Sequence, residues 1–443
     1  MALSSTFQTP QSGPLTTRTD EELAPGDIAV GVIIGRASEY FDFFVFGIAS
    51  VLVFPQVFFP FAADRLTGTL YAFLVFALAF VVRPVGTLIG MEIQRRFGRS
   101  TKLTAALFLL GCSTVGMGLL PGFASAGSTA IVLLALCRIG QGLALGGSWD
   151  GLPSLLALNA PPDRRGWYAM LGQLGAPLGF FVASSVFLYV FSSLDDKDFL
   201  SWGWRFPFFT AFAINVVALF ARLRLVVTHE YEKRMEEHEL DPAHLHELLP
   251  AQGHHIVIGA FAALASYALF HLVTVFPLSW VALSDPQGID DFMKMELLGA
   301  AFAAAAMPMS GLIADKIGRR SFLGTLALAI GVFALAAPFM LGGGKPGHAA
   351  FLLIGFVLLG LSYGQAAGSV TSNFLPHFRY TGAALTADMA WLLGAAFAPV
   401  IALFLSSRFG LGSLTVYLLS AVVCTLLALR VNKKLREAAV VQD

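Results

Sequence analysis

Residues 35–47 read GRASEYFDFFVFG, and Arg36, Glu39 and Asp42 stand there as three charges among aromatic and aliphatic neighbours. A carboxyl group that passes between a dry setting and the reach of a guanidinium changes its hold on a proton. Acids and arginines at this spacing can therefore load and release protons, or anchor an anionic ligand. At 100° per residue the three side chains fall within one arc of about 120° on a helix. That leaves the opposite side, rich in Phe and Val, for apolar packing. Arg36, one turn before Glu39, can hold that acid ionised, while Asp42, a turn deeper, is freer to take up a proton. A charge at the centre of a membrane costs about 2.5–3.5 kcal/mol, so a span with three of them needs a compensating role.

The same logic picks out further residues. Arg138 lies mid-run in RIGQG, where its insertion cost predicts an interior-facing position and an anionic partner, with Gln141 about one turn on and suited to a polar ligand group. Asp388 in LTADMAW is a second isolated acid in an apolar run, open to a proton-carrying role or to pairing with a buried arginine. Tyr40, Tyr267, His271, Tyr363, Gln365, Asn373 and Trp391 are polar-tipped residues in apolar runs. Of these, Tyr40, Tyr363, Gln365 and Trp391 join Arg36, Arg138, Gln141 and Ser148 as candidate substrate contacts. His244, His246 and His254 are spaced too loosely for a metal site, and Cys112, Cys137 and Cys424 lack C-x-x-C spacing. No nucleophile–base grouping or phosphate loop is evident, so neither an enzyme nor a metal or cofactor is expected.

The elements that position these residues are membrane spans. The 443 residues are 56% hydrophobic and 13% charged, against about 25% charged in ordinary globular chains. A net charge of zero offers no basic surface for nucleic acid. Runs long enough to cross a bilayer occur near 29–53, 66–90, 102–120, 128–157, 166–191, 202–222, 255–283, 293–313, 321–341, 349–374, 381–406 and 412–430. With the N-terminus inside, nineteen Lys and Arg fall in inner segments and five in outer loops, the remaining four lying in or at the edge of spans. Both termini are then cytoplasmic. The leader, residues 1–26, is polar and lacks the pattern of a cleavable signal peptide. It is expected to form a cytoplasmic tail.

A polar stretch, 226–253, separates six spans from six, and the halves echo each other. GMEIQRRFGRS (90–100) follows the second span and GLIADKIGRRS (311–321) follows the eighth, 221 residues on. Each has an opening glycine, a polar residue four on, basic residues and a closing Gly-Arg. DRRGWYAM (163–170) and HFRYTGAAL (377–385) recur at a similar offset. Ordered repeats indicate an internal duplication, with bundles at 27–225 and 254–432, a linker at 226–253 and a tail at 433–443. Parallel repeats of six spans, with a site at their interface, are a transporter construction.

These motifs, with G-x-x-x-E-[aromatic]-[aromatic]-D-F-F at 35–44, RPVGTLIG (83–90), RIGQGLALGG (138–147), RRGWYAMLGQLGAPLG (164–179), WGWRFPFF (202–209) and ARLRL (221–225), resemble the major facilitator superfamily and, within it, the metabolite:proton symporter family. The resemblance implies an all-α membrane protein of twelve transmembrane helices in two pseudo-symmetric six-helix bundles, monomeric, in a bacterial inner membrane. It also implies proton-coupled symport of a small organic solute, an organic anion or zwitterion, by alternating access. Glu39, Asp42, Arg138 and Asp388 would carry the proton coupling. Gly90, Gln94, Arg95, Gly98 and Arg99, with Gly311, Asp315, Gly318, Arg319 and Arg320, would form two gating loops whose acid latches onto a neighbouring helix N-terminus. The chain departs from the family at Gln94, where an Asp is usual, and at Ser148, where GGSWDG replaces G-G-E-x-x-G. Asp150 lies about 200° around the helix from Ser148 and cannot simply replace the missing Glu. These departures keep a uniporter or an anion exchanger open, and outside transport a membrane sensor.

Overall fold

A computed structural model of the chain describes residues 25–148, 160–161, 163–226, 241–366 and 374–442. Asp150 and Asn373 lie outside the described residues. Twelve spans follow one another: α1 (Pro25–Leu52), α2 (Arg65–Phe97), α3 (Arg99–Leu119), α4 (Ser128–Gly147), α5 (Arg165–Ser193) and α6 (Phe206–Val226). The second half begins with α7, in three pieces, Leu245–Ala262, Leu264–Thr274 and Phe276–Ser284. Then come α8 (Ile289–Ile317), α9 (Arg319–Leu341) and α10 (Gly344–Ala366). The last are α11, in pieces Arg379–Ala390, Trp391–Ala396 and Ala398–Phe409, and α12 (Gly412–Gln442). Among the described residues eleven helices are long and apolar enough to cross a membrane. They correspond to α2–α12; α1 is a 28-residue helix whose own Arg36, Glu39 and Asp42 make it the exception.

Burial sorts the helices. Every residue of α1 from Phe41 to Ser50, and every residue of α7 from Leu264 to Thr274, is buried. A helix apolar and covered all round belongs to a core, so α1 and α7, which correspond under the repeat, run through the middle. Large apolar side chains face outward elsewhere, among them Phe108, Phe220, Val332, Phe339 and Val416, as lipid contact requires. The breaks in α7 fall at Ala263 and at Val275, just before Pro277, its first piece kinks at Gln252 shortly after Pro250, and a π-helical turn in α11 begins at Trp391. Wide turns of this kind cluster at functional sites.

The halves meet along two seams that exchange under the repeat, α2 against α11 and α5 against α8. Within the first half, α2 and α4 approach so closely that a Cβ on Gly86 would lie 2.3 Å from the Leu143 carbonyl oxygen, and one on Gly90 2.8 Å from Gly147 Cα. Glycine is needed there for helix approach. The two gating loops turn through Gly98 and Gly318, each at φ 82, a left-handed conformation that glycine adopts without a Cβ penalty.

Candidate functional site

The loop between α8 and α9 grips the first turn of α5. Asp315 Oδ1 and Oδ2 accept from the Gly166 and Trp167 N–H groups at 2.5 and 3.1 Å. A carboxylate at a helix N-terminus meets unsatisfied N–H groups and the positive end of the helix dipole. Arg319 donates to the Arg165 carbonyl at 3.0 Å and to Gln365 Oε1 at 3.2 Å, and Gln365 donates to the Gly166 carbonyl at 3.0 Å. Arg320 donates to the Leu429 carbonyl of α12. Asp315 therefore lies at the N-terminus of a neighbouring helix. A Cβ on Gly311 would lie 2.8 Å from Trp167 Cα, so this glycine sits at the contact itself.

The other loop is built differently. Gln94 Oε1 accepts from Lys102 Nζ at 3.0 Å and from the Tyr380 hydroxyl of α11 at 2.9 Å, and Lys102 also donates to Tyr380 at 2.7 Å. Arg95 pairs with Glu92 of its own helix, and Arg99 is buried. Deeper in the same seam, Arg83 Nε and Asp388 Oδ1 are 2.8 Å apart, while Thr87 donates to Asp388 Oδ2 at 2.5 Å. The Arg83 guanidinium lies 5.7 Å from the Trp391 ring centroid.

The interior of the first half holds a chain of buried polar groups. Asp42 Oδ2 accepts from Asn215 Nδ2 at 2.6 Å and from Thr114 Oγ1 at 3.2 Å. Gln141 Nε2 donates to Thr114 Oγ1 at 2.7 Å, and Arg138 Nη1 donates to Gln141 Oε1 at 2.8 Å. Asp42 and Arg138 are 1% and 0% exposed, and among the described residues each keeps one atom, Oδ1 and Nη2, without a hydrogen bond. Nearer the gating-loop end, Arg36 donates to Glu39 Oε2 at 2.8 Å and Ser148 donates to Glu39 Oε1 at 2.7 Å. Across the centre, the hydroxyls of Tyr40 and Tyr363 join the two halves in an aromatic cluster with Tyr267, Phe270 and Trp391.

Comparison with known proteins places this arrangement. Residues 28–238 match the model of the Sugar (and other) transporter family. The inner membrane metabolite transport protein YhjE of Escherichia coli (strain K12) is 38% identical over 437 residues, covering 96% of this chain and 99% of that protein. The chain belongs to the major facilitator superfamily of transporters. The shikimate transporter of Escherichia coli (strain K12) is 28% identical over 407 residues, 88% of this chain and 91% of its own. Among solved structures, a D-xylose-proton symporter superposes with a TM-score of 0.67 at 18% identity, over 91% of this chain and 96% of that one, a likeness of fold. The relatives are transporters, so the protein is a multi-pass membrane transporter and not an enzyme.

Within this transporter fold some expectations change. Arg138 was expected to face an acid. Instead its guanidinium lies 4.1, 4.7 and 5.4 Å from the ring centroids of Phe46, Phe76 and Phe43, and its Nε donates to the Phe76 carbonyl at 3.1 Å. Desolvated cation–π contacts are worth about 2 kcal/mol, which answers the insertion cost without a carboxylate. Gln365, grouped by sequence with substrate contacts, lies in the α5–α8 latch. Asp388 is paired with Arg83, a residue for which the sequence predicts no role. Nor does the sequence single out Thr114, Lys102 or Tyr380, although Asn215 stands as a lone amide in the apolar run AFAINVVALF.

Proposed function

We propose that the protein is a proton-driven symporter of a small organic anion. The observation that carries this reading is the relay from Asp42 through Thr114 and Gln141 to Arg138, buried throughout, with an unbonded atom at each end. An acid and a guanidinium joined by neutral, reorienting side chains can couple two occupancies. A proton on Asp42 and an anion at Arg138 each change the field felt by the other. Glu39, held by Arg36 and Ser148, and Asp388, held by Arg83, are the further proton-coupling acids. Arg36, Tyr40, Gln141, Ser148, Tyr363 and Trp391 are the substrate contacts that accompany Arg138. Shikimate, for which one relative is named, is itself a carboxylate.

The two halves would rock about this centre, with bundles 27–225 and 254–432 joined by the 226–253 linker. The seams latched at the gating-loop end correspond to closure on that side. The nineteen-to-five bias of basic residues supports a cytoplasmic position for that end and for both termini. The protein would work as a monomer in a bacterial inner membrane. Uptake of labelled organic acids into proteoliposomes tests the proposal. An imposed inward proton gradient should drive accumulation of at least one carboxylate, and Asp42→Asn should abolish the drive while leaving counterflow. Accumulation indifferent to the gradient, or unchanged in Asp42→Asn, would overturn proton coupling through Asp42 in favour of a uniporter or exchanger.

A further inference from the structure

At the end of the molecule opposite the gating loops, Ser192 of α5 donates to Asp290 at the start of α8, joining the halves there too. Six residues further along α8, about 9 Å inward, stands Glu296. It is 0% exposed, and among the described residues neither carboxyl oxygen has a hydrogen-bond partner.

Its direction follows from helical phase. Ala303 and Met307 line a narrow apolar cavity between the halves, with Phe44 and Phe180 on the first half and Phe270 and Phe356 on the second. Seven and eleven residues after Glu296, they share its azimuth to within about 20°. Glu296 therefore points into the α5–α8 seam, between the outer contact at Asp290 and the cavity.

Among the described residues no charge compensates it. The outer half of α5 offers only the exposed Tyr189, the last piece of α7 has no titratable side chain, and α9 has its charges at Arg319 and Arg320, at the far end. On α10, Lys345 pairs with Asp291, His348 bonds to the Leu341 carbonyl at 3.0 Å, and Tyr363 is engaged with Tyr40. On α8 itself, Lys294 pairs with Asp290, while Asp315 holds the latch. An ionised carboxylate without hydrogen bonds in such a place costs far more than the neutral acid.

We propose that Glu296 is a proton-binding site of the second half: its carboxyl takes a proton from water as the outer end closes and returns it to water when α5 and α8 part there. The site is separate from the Asp42–Arg138 relay and holds whether or not transport is proton-driven. With one proton bound only in the closed state, the closed-to-open ratio falls about tenfold per pH unit above the ordinary range of a hydrated Glu, near 4.3.

The test is distance measurement by double electron–electron resonance on the full-length protein without substrate. Nitroxides would be placed at Lys197 and Ser284, both exposed at the outer end, one on each half. Between pH 5 and pH 9 a longer distance should grow at the expense of a shorter one in the parent. Glu296→Gln should hold the short distance throughout. Glu296→Asp, included in case the Gln variant misfolds, should keep the titration with a shifted midpoint. Equal titration in parent and Glu296→Gln, or no titration in the parent, overturns the proposal. Because substrate is absent, failure here is distinct from failure of the symport reading.

Discussion

Asp388→Asn should release the gating-loop end of the α2–α11 seam. In the closed arrangement Asp388 is 2% exposed at its side chain and Arg83 11%, and the pair spans the two halves at 2.8 Å. Asparagine keeps the volume and can still accept from Thr87, but it leaves the guanidinium buried beside Trp391 without its counter-ion. Removing one partner of a buried pair costs about 3–5 kcal/mol. The cost falls on the closed arrangement alone, since parted halves let water reach both groups. At about 1.4 kcal/mol per factor of ten, the closed-to-open ratio should fall by about a hundredfold to a few thousandfold.

The assay uses nitroxides at Thr101 and Ser321, exposed residues that hold matching places in α3 and α9, one in each half. Cys112, Cys137 and Cys424 would be replaced first, Cys112 being exposed and the other two partly so. The parent should give a single short distance, and Asp388→Asn a dominant longer one. Arg83→Gln should do the same, and the double variant should return part of the way, because it leaves no orphaned charge. An unchanged distribution in both single variants would refute the view that this pair holds the halves together.

Two further outcomes follow from the packing. Gly166→Ala would place a Cβ 2.7 Å from Asp315 Oδ1 and 2.8 Å from the Gly311 carbonyl. The overpacking, about 1–3 kcal/mol, should lengthen the Thr101–Ser321 distance without lowering protein yield. Arg138→Lys keeps the charge but cannot stack among three Phe rings while donating to both Gln141 and the Phe76 carbonyl; initial uptake rates should fall at least about tenfold, and thermal unfolding should shift downward.

What the sequence made legible is what periodicity and local chemistry encode. The spans are read from apolar length, the repeat from two Gly-Arg loops, and the turns from Gly98 and Gly318, whose matching backbone angle only glycine adopts cheaply. Arg36 and Glu39 pair because one helical turn separates them. Contacts between distant segments are another matter. A helical period states which face a residue occupies but not what lies opposite, so the partner of Asp388, 305 residues away at Arg83, could not be read. Arg138 shows a second limit. Insertion cost implied an acid, yet aromatic faces also stabilise a guanidinium, and the three that do so look in sequence like ordinary lipid-facing Phe. Glu296 shows a third. In DDFMKMELLG it sits at the start of the span near 293–313, close behind the charges of an outer loop, and only the fold shows it buried.

The unequal latches also gain a physical account. The Asp315 loop places a carboxylate on the α5 helix end at the surface of its seam. In the pseudo-equivalent seam Gln94 has no charge to offer, and in its place stands a buried hydrogen-bonded cluster with Lys102 and Tyr380. That seam has its ion pair eight residues further along α11 than Tyr380, about 12 Å inward, between Arg83 and Asp388. The carboxylate of the α5–α8 latch is thus partly exposed, whereas the charged groups described in the α2–α11 seam, Lys102, Arg83 and Asp388, are buried. A contact at depth is screened less by salt than one at the surface, so raised ionic strength should weaken the α5–α8 latch before the α2–α11 seam. With Gln94 in place of an acid, the ion pair described in the α2–α11 seam lies inward of it, where Arg83 and Asp388 stand close to the aromatic cluster that joins the halves.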